Sequence, residues 1–282
     1  MSKKIIKKNG SQEPFSAEKL CNSIVAAGAP TSLATQVCDI VSEKISSGTS
    51  TEKIFNITRK YLKPIDPELA ALYSLERGLS SLGPSGFLFE HFVSELFRKM
   101  GYFSQKNVYL HGEAVEHEID VMAQKGNVVF LVEAKYKNDF RTKTHIDKVM
   151  YADARLVDIR KKAQLNGDTR EYYMWMVTNT QFTQNSLNYI EHRDLQLMGW
   201  DYPKFINLKK IVREKKLYPV TVVPSMTQSL LKKLALNDVV LVQDLYYLEA
   251  KDFEKDYGVS ERTAKKLVKE VHELIHPEFV SL

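Results

Sequence analysis

Two short apolar runs of strand type occupy residues 116–123 and 128–132, separated by Gln124-Lys125-Gly126-Asn127. Side chains of a strand repeat every two residues. In the first run this sets Ile119, Val121 and Ala123 on one face and Glu118, Asp120 and Met122 on the other. The second run is almost wholly apolar until Glu133-Ala134-Lys135 interrupts it, with Glu133 and Lys135 on one face and Ala134 turned into the core. A glycine turn between two such runs predicts a hairpin. That hairpin gathers two carboxylates and an ammonium at the end of a sheet, and acids where a strand ought to pack point to chemistry.

The flanking pattern supplies the frame. Around Asn9-Gly10 a short hairpin is predicted. Ser16 caps a helix carrying Leu20 and Ile24, Gly28-Ala29-Pro30 stops it, and residues 31–45 form a second helix. Ser50 or Thr51 caps a third with Ile54, Ile57 and Tyr61, and Leu69, Leu72 and Leu75 mark a fourth. The Gly/Pro/Ser corner at residues 80–86 is the expected domain boundary. Residues 87–100 then form an amphipathic helix with Phe89, Phe92, Val93, Leu96 and Phe97 on its apolar side. Glu90 lies among them, either as a partly exposed helix glutamate or as a carboxylate presented to the hairpin's acids. After the hairpin come a basic loop with Lys137, Arg141 and Lys143, a long helix at 146–162, a strand at 172–177, a helix from 184 and a last strand at 195–198. This order is an α/β core, a mixed sheet flanked by helices. Residues 226–236, 240–248, 250–257 and 260–274 follow as four short helices.

Composition narrows the classes. The chain has 282 residues, 44% hydrophobic and 27% charged, as soluble globular proteins do. No apolar run is long enough for a membrane span, and the basic start lacks the apolar stretch of a signal peptide. Cys21 and Cys38 fall on predicted helices without ligand-spaced partners and are read as buried small hydrophobes in a reducing cytoplasm. A formal charge of +5 favours an acidic partner. There is no GxxxxGK[ST] run, so a hydrolytic P-loop is not expected.

Two stretches resemble known families. Lys7-Lys8-Asn9-Gly10, then Phe15, Lys19-Leu20 and a closing Leu69-Ala70-Ala71-Leu72-Tyr73 resemble an ATP-cone, the nucleotide-sensing module of ribonucleotide reductases. The resemblance implies ATP or dATP as an effector, with Lys7, Lys8 and Lys19 facing phosphate beside Asn9 and the glycine turn. Phe89-Glu90, Glu118-Ile119-Asp120, Glu133-Ala134-Lys135, and Thr178-Asn179 followed by Phe182-Thr183 resemble the Mrr-like branch of the PD-(D/E)xK nucleases. The proline that often precedes the motif aspartate is absent. That resemblance implies Mg²⁺ or Mn²⁺ held by Asp120, Glu133 and the Ala134 carbonyl, with Lys135 and Glu90 completing the catalytic set. The segment with Gly258, Ser260, Arg262, Lys265 and Lys266 resembles a helix-hairpin-helix module that takes DNA phosphate, although only one glycine of its usual pair remains.

The expectation is therefore an ATP-cone at 1–82, an Mrr-like PD-(D/E)xK nuclease domain at 83–216 and a small all-α domain at 217–282. Its function would be a cytoplasmic, metal-dependent DNA endonuclease regulated by nucleotide, working as a homodimer or higher oligomer. The alternatives are an inactive nucleotide-responsive DNA-binding regulator and an RNA nuclease.

Overall fold

The computed structural model describes residues 3–7, 9–82, 86–140 and 142–276; Lys8 and Arg141 lie outside the described residues. The chain divides into two compact units, Met1–Leu75 and Glu76–Leu282.

In the first unit, β1 (Lys4–Ile6) and β2 (Gln12–Pro14) pair antiparallel around Gly10, whose φ of 82° suits a residue without a Cβ. Four helices follow: α1 (Ala17–Ala26), α2 (Thr31–Lys44), α3 (Thr51–Leu62) and α4 (Pro67–Leu79), the last ending within the second unit's residues. Ser16 and Ser50 do cap α1 and α3, their side chains accepting from the Lys19 and Lys53 amides at 3.1 Å each. Such a cap stabilises a helix by about 1 kcal/mol. Thr49 and Ser50 also form β3, parallel to β1, so the small sheet has the order β2-β1-β3. Leu20, Ile24, Val37, Val41, Ile54 and Leu62 fill the core beneath. Contrary to the expectation of two unpartnered cysteines packed as small hydrophobes, Cys21 and Cys38 are bonded to each other. The packing of α1 on α2 sets them face to face, 5.6 Å apart at Cα, as a disulfide.

The second unit begins with α5 (Phe87–Lys99), then β4 (Phe103–His111), β5 (Glu116–Lys125), β6 (Val128–Lys135) and β7 (Lys143–Thr144). Next come α6 (Ile146–Leu165), β8 (Glu171–Thr178), β9 (Gln181–Phe182), α7 (Gln184–His192), β10 (Gln196–Met198) and α8 (Leu208–Glu214). The five-stranded sheet has the order β10-β8-β6-β5-β4. Strands β4, β5 and β6 run antiparallel, and β6, β8 and β10 run parallel. On one face Val149, Ala152, Leu156 and Ile159 of α6 pack with Val129, Leu131, Met174 and Met176. On the other lies α5, with Phe97 edge-on to Trp175 at 5.0 Å. Phe89, Phe92, Val93, Leu96 and Phe97 are all fully buried, each stabilising the fold by about 1.5–3 kcal/mol.

Three helices close the chain: α9 (Gln228–Leu236), α10 (Ala250–Tyr257) and α11 (Glu261–Leu274), with 3-10 turns at Val220–Val222 and Val242–Leu245. They share the second unit with the α/β core. Gly78 lets the first turn approach, since a Cβ there would meet Val222 Cγ1 at 2.8 Å, and Thr221 Oγ1 donates to the Gly78 carbonyl at 2.7 Å. Asp238 meets Lys106 Nζ at 2.8 Å and His91 Nδ1 at 3.0 Å, tying the helices to α5 and β4. Among the described residues no helix is long and apolar enough to cross a membrane.

Candidate active site

The β5–β6 hairpin turns through two residues, Gly126 and Asn127, with Gly126 at φ 60° and Lys125 paired to Val128. Its far end is irregular, and the irregularity builds the site. On one side the β4–β5 ladder pairs Lys106 with Val121 and Val108 with Ile119, skipping Asn107, whose φ is 51°. On the other, the β5–β6 ladder stops at Val121 and Val132. Asp120 sits at this double interruption. Its Oδ2 accepts the Ala134 amide at 2.8 Å, in place of a strand carbonyl. Strict alternation fails here as well. Ile119 joins the cluster beneath α6 together with Met122, not with Val121 and Ala123 as a regular strand would require. The register is the same on both sides of the interruption, with Asn107 facing Asp120 one to one, so the ladder is distorted locally without the extra residue of a bulge.

Glu133 is 4% exposed, and each of its oxygens has a cation. Oε1 is in contact with Lys135 Nζ, and Oε2 accepts from Arg155 Nη1 of α6 at 2.8 Å. Lys135 Nζ also lies 3.7 Å from Asp120 Oδ2. Two carboxylates and two cations are thereby interlocked at the carboxyl end of β6. Burial, and then the negative charge of Glu133, raise the pKa of Asp120. Glu90 on α5 belongs to the same field. Burial, and then the Asp120 charge, push it up to about 7. Raised carboxylates beside one another mark a place where further positive charge is favoured.

The strand next door holds the segment after Lys135. Thr178 Oγ1 donates to the Lys135 carbonyl at 2.7 Å. The Asn179 amide bonds Lys137 twice, accepting from its N–H and donating to its carbonyl, both at 2.8 Å. Thr178, Asn179 and Thr180 are fully buried, so this Thr-Asn pair positions the chain behind the carboxylates.

A divalent ion fits the donor set. Asp120 and Glu133 offer the hard oxygens that Mg²⁺ takes, typically one or two carboxylates with water and phosphate. Among the described residues, however, no group of three or more His, Cys, Asp or Glu forms a ready cage. Glu90 therefore contributes through the field and not as a third assembled ligand.

Arg155 escaped the sequence reading, yet a signal exists. It lies three residues after buried Ala152 and four before buried Ile159, on the helix face that packs inward. An arginine there needs an acid. Lys137 is half-buried, and Lys143 is exposed on β7. In the first unit Lys7 Nζ pairs with Glu13 Oε2 at 2.6 Å, and Lys19 also acts on Glu13, whose carboxyl is held below its usual range by Lys7. Asn9 Oδ1 accepts the Ser11 amide at 3.1 Å and so braces the turn. At the C-terminal helices Gly258 ends α10 in the left-handed region, and Arg262, Lys265 and Lys266 are exposed. Lys265 there pairs with Glu261 at 2.5 Å.

Comparison with known proteins agrees with this architecture. Residues 3–81 match the ATP cone domain, residues 83–208 a restriction endonuclease domain and residues 218–275 the C-terminal part of AF1548-like proteins. An uncharacterized protein of Archaeoglobus fulgidus is 27% identical over 183 residues, 65% of this chain and 99% of its own length. The crystal structure of AF1548, a protein of unknown function, has a TM-score of 0.56 at 26% identity, over 66% of this chain and 96% of that one. The MspJI restriction endonuclease in complex with a 27-mer oligonucleotide gives a TM-score of 0.35 at 18% identity, over 51% of this chain and 31% of that one, too low to carry weight. The fold is thus a restriction-endonuclease-like core between an N-terminal ATP cone and a C-terminal helical region.

Proposed function

We propose that this chain, an ATP cone followed by a restriction-endonuclease-like core, is a Mg²⁺- or Mn²⁺-dependent DNA endonuclease whose activity responds to ATP or dATP. The observation that carries the reading is the meeting of Asp120, Glu133 and Lys135 at the carboxyl end of β6, with Asp120 bound to the Ala134 amide at 2.8 Å. Asp120, Glu133 and the Ala134 carbonyl would hold the ion. When bound, the ion would supply an acidified water and neutralise charge on the phosphoryl oxygens.

The chain's own groups do the rest. The ammonium of Lys135, already between both carboxylates, is placed to orient the attacking water and to meet negative charge as it develops. Arg155 keeps Glu133 directed into the site through its Nη1 contact with Oε2. Glu90, near neutrality in its titration, can hold or release a proton at the edge of the site. Lys7 and Lys19 gather around Glu13 on the N-terminal hairpin, and a triphosphate would take over the cations that this carboxylate engages. Two such sites, from a homodimer, would cut both strands of a duplex.

A second reading has one observation in its favour. Both oxygens of Glu133 are already engaged by protein cations, as they would be in an inactive DNA-binding regulator. Plasmid, linear duplex and RNA incubated with Mg²⁺ or Mn²⁺, with and without ATP or dATP, separate the two. Metal-dependent cleavage of DNA that Lys135→Ala abolishes supports the endonuclease. Tight DNA binding without cleavage under every condition supports the regulator.

A further inference from the structure

The loop at residues 199–207 leaves the carboxyl end of β10 and carries the most exposed aromatic ring of the second unit's α/β core. Phe205 is 81% exposed, beside Ile206 at 55% and Tyr202 at 45%. Exposed apolar side chains are ordinary when scattered, but three within five residues form a patch. The loop is also firmly held. Gly199 N–H donates to the Tyr202 carbonyl at 2.7 Å, and the Asn207 side chain donates to the Pro203 carbonyl at 2.9 Å. Leu208 and Lys209 N–H close the base on the Gly199 and Trp200 carbonyls at 3.0 Å each. Trp200 N–H donates to the Thr180 carbonyl at 2.8 Å, and the Trp200 ring meets Phe140 edge-on at 5.4 Å. Phe205 is thus presented on a braced support and, among the described residues, is left 81% exposed.

Its place in the sheet says what it would meet. Lys135 lies beside Thr178, and Val177 beside Met198, so β6, β8 and β10 end on one edge. The loop therefore rises from the edge that carries Glu133 and Lys135. In open α/β sheets ligands gather at that edge. Two strand spacings separate β6 from β10, roughly 10 Å, which is within the roughly 12 Å width of a DNA major groove. Over residues 201–214 the exposed cations Lys204, Lys210 and Arg213 outnumber the exposed acids Asp201 and Glu214. An apolar tip with cations around it suits bases and phosphates together.

We propose that the 199–207 loop is a DNA-contacting element, with Phe205 packing on a base or between bases of the duplex whose phosphodiester lies at Asp120 and Glu133. This rests on the endonuclease reading. The test uses the full chain, Phe205→Ala and Phe205→Trp, and duplex DNA carrying 2-aminopurine. Anisotropy gives the affinity, 2-aminopurine and tryptophan emission report contact, and sedimentation gives the mass of the protein alone. Phe205→Ala is expected to bind roughly 10- to 100-fold more weakly, the range of a lost base–aromatic contact. Phe205→Trp is expected to retain affinity, with emission that changes on DNA addition. If Phe205→Ala binds and cuts as wild type does, the proposal falls while the endonuclease reading stands. A changed mass for Phe205→Ala without DNA would make the patch a contact between copies and also overturn it. A wild-type chain that neither binds nor cuts DNA overturns both.

Discussion

The chain holds two hairpins with chemistry at one end, and they differ in almost everything but their glycine turns. The β1–β2 hairpin has strands of 3 residues each, and its charges face water: Lys7 and Glu13 pair with side chains 38% and 28% exposed. The β5–β6 hairpin has strands of 10 and 8 residues set inside a five-stranded sheet. Its pair, Glu133 and Arg155, has side chains 5% and 15% exposed. Charges in the first hairpin are screened and free to rearrange around an incoming ligand. Charges in the second are desolvated and fixed, so each depends on its neighbours. The contrast suits a reversible sensor on one side and a preorganised reaction site on the other.

The largest expected effect lies in the buried hairpin. Lys135→Ala should lower metal-dependent DNA cleavage by about 10²- to 10³-fold, as removal of one preorganised charge-stabilising donor does. DNA affinity in EDTA should stay within about threefold by anisotropy. Cleavage at the wild-type rate would mean that the buried cluster is structural and no better suited to chemistry than the exposed one.

Stability sharpens the comparison next. Arg155→Ala removes one of two cations from a buried carboxylate and should destabilise the second unit by about 2 kcal/mol in urea unfolding. Lys7→Ala breaks an exposed pair and should change stability by less than about 1 kcal/mol. Equal losses at the two positions would mean that the two hairpins hold their charges alike. In calorimetry, the Lys7→Ala, Lys19→Ala double variant should bind ATP or dATP about tenfold more weakly, with nucleotide-free cleavage unchanged. Undiminished binding would remove these lysines from the phosphate site.

The smallest effect is a pH dependence. Glu90 titrates near 7 in the fold against the ordinary 4.5, so it binds its proton more tightly folded than unfolded. Below about 4.5 the group is neutral in both states and has no effect. As pH rises towards 7 the unfolded chain ionises first, and the fold loses stability. Glu90→Gln should therefore be more stable than wild type at pH 8 in EDTA, with the difference shrinking through pH 7 and gone near pH 4.5. Parallel unfolding midpoints across that range would mean that Glu90 is solvated like a residue of the first hairpin.

Much of both hairpins was legible in the sequence. The runs around Gly126, the caps at Ser16 and Ser50, and the apolar stripe of α5 are local patterns, and local patterns set local conformation. The alternation of β5 was legible only up to Asp120. There the ladders to both neighbouring strands are interrupted, on one side beside the left-handed Asn107 of β4, a contact between strands that alternation within β5 does not encode. Cys21 and Cys38 read as separate positions because the contact that joins them is a helix–helix packing. The helix at Leu208–Glu214 was hidden by its basic composition, although Asn207 caps it by accepting the Lys210 amide at 3.0 Å.

By itself the sequence determined where most of the longer strands and helices lie, though not α8 or the 3-10 turn at Val242–Leu245, and which residues bring carboxylate and ammonium to the end of β6. Their identities and short-range spacing suffice for that. Tertiary structure decided that Arg155 meets Glu133, that Asp120 takes the Ala134 amide, and that Glu90 titrates near 7. Those outcomes depend on desolvation and on contacts between elements, which no periodicity within one element encodes.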